Sequence, residues 1–406
     1  MSDFSSPSVS QQQAPAHTSP ASAPAEVRSE AIEGTGPRPA APSKRNTTLL
    51  VLGIIGIAIG ALILLVVVVY VMAGLGPVAF GISGILALIP LAIVLIGVNW
   101  VDRWEPEPRG ILVFAFLWGA GASVLAALIV GVVIEIVAGG SDLEVFGAVV
   151  QAPVVEEFAK GFGILLILWF ARKHFDGPID GLVYGAWVAG GFAFTENILY
   201  FGSALLESGA TGVAQLFFIR GLMSPFAHVM FTAFTGVALG LAARRTGAAG
   251  AIGYFLIGLI PAIGLHALWN GALFVVGEHF FVYYALVQFP LFVGAVLLVL
   301  YLRRQEAKLT RDRLAEYAAV GWFDPAEVDA LATGAGRRQS MAWARQRRLG
   351  KLMRQYTHDA TKLAFTRQRL ITGRAGVGAV ADEAALLASI VAARHALHAA
   401  AQPVAR

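Results

Sequence analysis

Eight apolar runs, one after another, constrain this chain more than any other feature. They lie near 48–73, 78–98, 110–138, 145–171, 179–202, 214–243, 251–277 and 280–302. Each is long enough to cross a hydrocarbon layer of about 30 Å as a helix rising about 1.5 Å per residue. Backbone groups in hydrocarbon must bond within the segment, so runs of this length predict helices rather than barrel strands. Composition agrees: 57% of the 406 residues are hydrophobic and only 14% are charged. A water-soluble domain carries about 25% charge. The expected fold class is therefore all-α, a polytopic membrane protein with about eight transmembrane helices.

The flanks differ from this body. Residues 1–47 are rich in Ser, Pro, Ala and Gln and are expected to be a disordered cytosolic segment rather than a secretory signal. Residues 48–302 form the transmembrane domain. Residues 303–406 read as a basic, helical cytosolic region with 18 Lys/Arg against 9 Asp/Glu, whereas the rest of the chain holds 12 against 17. Within 337–374 there are 11 basic residues and a single acid, Asp359. A solvated or lipid-facing helical surface accounts for that stretch, and no nucleic-acid partner is expected.

Loop charges give an orientation. Lys44 and Arg45, Arg103 and Arg109, Arg172 and Lys173, Arg244 and Arg245, and Arg303 and Arg304 occupy alternate loops. The loops at 74–77, 139–144, 203–213 and 278–279 contain no Lys or Arg. The positive-inside rule then places both termini in the cytoplasm.

Ionisable groups inside spans are costly, and they mark function more often than structure. Glu135 and Arg220 sit near outer ends and can reach water. Six others lie deeper: Glu156, Glu157, Lys160, Glu196, His228 and His266. Counting along the spans puts Glu156, Glu157, His228 and His266 about 17–20 Å from the outer face, with Glu196 at about 10 Å. Three separate spans thus bring carboxylates and imidazoles to one level, which suggests a single polar cavity.

The local contexts add chemistry. Lys160 follows Glu156 by one helical turn and can pair with it. Two adjacent carboxylates in a low dielectric cannot easily both hold charge, a setting suited to a general base. A Glu–Lys pair that only glues helices together is the structural alternative. Glu196 and Asn197 follow the glycine pair at 190–191. Pro225 precedes His228 and frees a carbonyl beside it. His266 and Asn270 are four apart and share a helix face, where they could hold a water or donate to an oxyanion.

The set Glu156-Glu157-x-x-Lys160, Phe192-x-x-x-Glu196-Asn197, His228 and His266-x-x-x-Asn270 resembles the PrsW family of intramembrane proteases, which is related to the CAAX prenyl endopeptidases and bacteriocin-processing enzymes. The resemblance covers roughly residues 85–300. It implies an integral protein of the bacterial plasma membrane that hydrolyses peptide bonds of membrane-embedded or membrane-proximal proteins, as in the cleavage of anti-sigma factors. By this likeness Glu156 or Glu157 activates water, Glu196 and His228 position the water or a metal, and His266 and Asn270 stabilise the oxyanion. The prenyl-protein relatives have His where this chain has Glu196.

Two His and one carboxylate, here Glu157, His228 and His266, could bind zinc with one position open. The His-Glu-x-x-His zinc helix is absent. A zinc-bound and a Glu-activated water therefore both fit. A serine mechanism at Gly81-Ile82-Ser83-Gly84 would leave the buried glutamates unexplained. A proton-coupled transporter or channel using the same Glu and His residues as a relay is the alternative function. The chain has no cysteine, so thiolate chemistry is excluded.

Overall fold

The computed structural model describes residues 47–139, 142–373 and 378–401, with side chains described from Val51 to Ala400 apart from those gaps. The expected disordered segment at 1–47 lies outside the described residues except for Thr47. The described chain is helical and contains no strand. The described residues divide into two compact units, a membrane-type body, mainly residues 47–310, and a C-terminal unit made of 311–370 and 378–401.

In the body, helix α1 spans Thr47–Val101, α2 Arg109–Leu117 and α3 Val124–Ala138; a wide π-helical segment at Trp118–Ser123 joins the last two. Then come α4 Ala152–Phe170, α5 Pro178–Leu216, α6 Ala227–Arg245, α7 Gly250–Val276 and α8 Phe289–Ala319. Four helical stretches are long and apolar enough to cross a membrane: Val51–Val101, Arg109–Ala138, Pro178–Arg245 and Gly250–Ala319. Three of them are interrupted. Gly76 at φ 75° breaks α1 immediately before Pro77, Gly209 at φ 67° breaks α5, and Gly277 at φ 48° ends α7. A side chain at such a φ is strained, so these are the positions where a helix can stop and restart. The site-bearing helix α4 carries three charged residues within 19 and is less uniformly apolar than the four stretches.

Helix α5 is central, packing on α1, α2, α4 and α6. Small residues let the backbones touch. A Cβ on Gly181 would lie 1.9 Å from the Gly236 carbonyl oxygen of α6, and one on Gly119 would lie 1.8 Å from the Val188 carbonyl oxygen of α5. Helices in hydrocarbon gain little from hiding apolar surface from lipid, so close packing of this kind is what holds them together. The outward surface stays apolar, with Ile54, Leu62, Ile85, Ile96, Ile136 and Ile260 exposed. In the loop after α1, Asp102 accepts hydrogen bonds from the Glu107 amide, and the Tyr184 hydroxyl donates to the Glu107 carboxylate. Burial pushes the Asp102 carboxyl up to about 7.

The C-terminal unit follows the rules of a water-soluble bundle. Its helices are α9 Pro325–Ala332, α10 Gly334–Gln346, α11 Gly350–Ile371 and α12 Ala379–Ala401, joined by the last turns of α8. Asp324 and Glu327 form a capping box at the start of α9. Leu314, Leu331, Ala344, Leu363 and Ile390 form an apolar core.

Candidate active site

The site is assembled where α4, α5, α6 and α7 meet. Glu156, Glu157 and Lys160 come from one face of α4, Glu196 from α5, His228 from the first turn of α6, and His266 from the middle of α7. Before α6 the chain forms a wide π-helical segment at Phe217–Met223 and a turn at 224–226. Pro225 lies in that turn, so the proline ends one helix and sets the entry of His228 into the next.

Glu157 is fully enclosed. Its Oε1 lies 2.6 Å from the Lys160 ammonium and 3.0 Å from His266 Nδ1, and its Oε2 accepts the Thr232 hydroxyl at 2.8 Å. Glu156 lies 3.5 Å from Lys160 and 3.9 Å from His266 Nε2, both through Oε2. Unlike Glu157, it lines a cavity of about 700 Å³ together with Phe192, Glu196, Tyr200, Ser203 and Gln215. Lys160 is therefore nearer to Glu157 than to Glu156, the partner its spacing suggests. One ammonium between two carboxylates lowers the cost of holding both in a dry interior.

Hydrogen-bond roles fix the rings. His228 Nδ1 is 3.3 Å from the Lys160 ammonium, which can only donate, so Nδ1 accepts. Its Nε2 donates to Glu196 Oε2 at 2.8 Å. His266 Nδ1 faces a carboxylate, which can only accept, so Nδ1 carries the hydrogen and Nε2 of the neutral ring offers a lone pair. Each imidazole thus has one nitrogen held by a glutamate and a lone pair on the other. The rings stand at 88° with centroids 5.3 Å apart. Phe231 stacks on His266, Phe192 packs on His228, and the Lys160 ammonium lies 4.2 Å from the Phe192 centroid.

One donor atom each from Glu156, His228 and His266 falls within 4.8 Å of the others. This donor set suits a borderline divalent ion such as zinc. The Glu157–His266 and Glu196–His228 bonds are the carboxylate–histidine supports that metal-bound imidazoles commonly have. The Lys160 ammonium, near both His228 Nδ1 and Glu156, already places a cation beside two of the three donors. The carboxylate grouped with the two imidazoles here is Glu156, whereas the sequence pattern suggests Glu157.

Five of the six sequence candidates, Glu156, Glu157, Glu196, His228 and His266, are thus brought together. The sixth, Asn270, donates its amide to the Ala148 carbonyl at 2.9 Å, tying α7 to the segment before α4. The Ser83 hydroxyl of the Gly-x-Ser-Gly segment donates to the Phe80 carbonyl. Arg220 is the residue that sequence reasoning passed over. With its side chain 24% exposed, it bonds Glu196 at 2.5 Å and the Asn197 side chain at 3.0 Å and lies over the Tyr200 ring. The signal was Glu196 itself, a buried carboxylate that needed a cation from the same end of the membrane.

Residues 107–295 match the family described as PrsW family intramembrane metalloprotease. Over this segment the chain is similar to the PrsW family. All of the clustered residues lie within the matched segment. "Protease PrsW" of Clostridioides difficile (strain 630) is 34% identical over 157 residues, which are 37% of this chain and 62% of the relative. "Protease PrsW" of Geobacillus kaustophilus (strain HTA426) is 34% identical over 146 residues, 35% of this chain and 58% of the relative. "Protease PrsW" of Bacillus subtilis (strain 168) is 34% identical over 143 residues, 35% of this chain and 60% of the relative. The chain spans about three fifths of the length of these PrsW relatives. No solved structure matches it.

Proposed function

We propose that this protein is an intramembrane endopeptidase that hydrolyses peptide bonds of membrane-embedded or membrane-proximal proteins, in the manner of regulatory cleavage of an anti-sigma factor. The observation that carries the reading is the cluster of Glu156, His228 and His266, backed by Glu157, with Glu156 on the wall of a cavity, inside the PrsW-matched segment. The body crosses the bilayer about eight times. Stretches of 68 and 70 residues are far longer than one passage of about 30 Å requires, and they break at Gly209 and Gly277. With basic residues in alternate loops, both termini face the cytoplasm of a bacterial plasma membrane.

Glu156 faces the cavity and is the group placed to take a proton from the attacking water as its oxygen bonds to the scissile carbonyl carbon. The same carboxyl then returns the proton to the leaving nitrogen. Glu157 orients His266 and balances Lys160, and Glu196, held by Arg220, orients His228. Phe192 and Phe231 keep bulk water off the rings, which strengthens these interactions. If the site is loaded with zinc, Glu156, His228 and His266 would hold it, and the ion would supply Lewis-acid polarisation of the carbonyl and acidify the water. A proton relay for transport would need groups spread along a path across the bilayer, whereas these are gathered in one place.

The test is cleavage of single-span substrates by the purified full chain in liposomes, with and without chelator. Wild-type protein is expected to cut and Glu156→Gln to be inert. Cleavage that survives Glu156→Gln, or none by folded wild-type protein across a panel of substrates, overturns the reading.

A further inference from the structure

The C-terminal unit carries a surface that the peptidase reading does not use. Between Ala330 and His358 the chain has seven basic residues and no acid. Six of these are exposed: Arg338 early in α10, Arg345 at its end, Arg347 and Arg348 in the turn after it, and Lys351 and Arg354 in the first turns of α11. None makes an ion pair among the described residues. Arg347 lies over the Trp343 ring, 4.7 Å from its centroid, so an aromatic side chain sits within the patch.

Backbone conformation supplies a second, independent observation. Arg348 is the one described non-glycine residue with positive φ, at 60°. It terminates α10, with the Leu349 amide returning to the Ala344 carbonyl at 2.8 Å. Helices commonly end this way on glycine, which takes the left-handed conformation without a clash. Arginine is penalised there. An unfavourable residue at the tip of a basic patch indicates that its side chain, not its backbone, is what the position requires.

We propose that this patch docks on the anionic headgroups of the bilayer in which the protein is inserted. The chain itself argues for lipid as the occupant. Arg311, where the unit begins, follows closely on Leu302, the end of the last apolar run, so an anionic leaflet is always within reach. Clustered Lys and Arg gain from its surface potential, and an interleaved aromatic suits the headgroup boundary.

The absence of native cysteine permits a site-specific test. Gln346→Cys, exposed beside the patch, is labelled with an environment-sensitive dye in the full chain, and acrylamide quenching is measured in lipid nanodiscs. Discs rich in phosphatidylglycerol should shield the dye relative to pure phosphatidylcholine discs. Shielding should vanish at about 1 M salt, where the screening length is about 3 Å. Arg348→Gly should lower the docked-to-free ratio about five-fold. The same variant should raise the melting temperature of the C-terminal unit by about 4 °C. A merely structural role predicts the temperature rise without the loss of docking. Equal quenching in both lipids overturns the proposal, as does unchanged docking or a lowered melting temperature in Arg348→Gly. Shielding by short duplex DNA in phosphatidylcholine discs as strong as that by anionic lipid also overturns it, in favour of a nucleic-acid surface.

Discussion

The body and the C-terminal unit are both helical, but they are built on opposite terms. The body hides its ionisable groups and shows its apolar ones: Glu157 and Lys160 are fully buried while Val137, Ile260 and Val275 are more than 70% exposed. In the C-terminal unit Leu314, Leu363 and Ile390 are inside, while Arg338, Arg345, Arg347, Arg348 and Arg354 are outside. Of the large apolar side chains left exposed among the described residues, only Ile371, the last residue of α11, and Val380 lie beyond residue 310. The body is held by backbone-to-backbone glycine contacts and enclosed polar clusters, the other unit by burial of apolar surface from water. The lesson is that the same secondary structure is stabilised by whatever its solvent does not supply.

The largest expected effect separates chemistry from packing. Glu156→Gln should lower cleavage by about 10²–10⁴-fold with little change in body stability, because Glu157 still balances Lys160. Comparing it with Glu157→Gln in a cleavage assay and a thermal melt sharpens the contrast. The second change leaves a buried ammonium poorly paired and should cost about 3 kcal/mol as well as activity. If Glu157→Gln melts like wild type, the enclosed ion pair is not what holds this part of the body.

Next in size is the core of the other unit. Leu363→Ala should destabilise the C-terminal unit by about 3 kcal/mol, visible in hydrogen exchange of α11, while cleavage in the body persists. Loss of cleavage alongside that melting would break the independence of the two regions.

The regions should also answer pH with opposite sign. Asp102 in the body has its pKa raised by burial, to about 7. Its folded form binds the proton more tightly than the unfolded form does, so its contribution is complete below about 4 and is lost as pH rises through about 7. Burial and then neighbouring Lys362 hold His358 in the C-terminal unit below its ordinary value. Its contribution is present above about 6.5 and is lost as pH falls through the lowered value. Melts of Asp102→Asn and His358→Gln against wild type between about pH 4 and 8 should each flatten one of these slopes. The smallest effect is expected from Arg311→Ala. Its partner Asp329 is exposed and the pair is screened, so the melting point should move by less than about 1 °C.

Much of the site was legible because charges are scarce in the body. Glu156, Glu157, Glu196, His228 and His266 stand out as ionisable groups in apolar runs, and a depth count along helices sufficed to group them. Asn270 was read on the same helix-face logic but is engaged by the Ala148 carbonyl, a partner whose position depends on how the segment before α4 packs. Arg220 was assigned to the interface by its place in the run, since sequence position gives depth but not azimuth. For the same reason the choice between Glu156 and Glu157 could not be made from neighbours in sequence.

By itself, then, the sequence determined that the body is apolar helix, that the basic excess lies in a separate C-terminal region, and which ionisable residues interrupt the apolar runs. Hydropathy and charge are properties of each residue and add along the chain. Only the tertiary structure decided that Glu156 faces the cavity, that Glu157 is enclosed by Lys160, Thr232 and His266, that Arg220 turns inward to Glu196, and that Arg348 takes a conformation made for glycine. Those outcomes depend on helix rotation and on which backbones approach closely enough to touch, and both are set by packing between segments far apart in the chain.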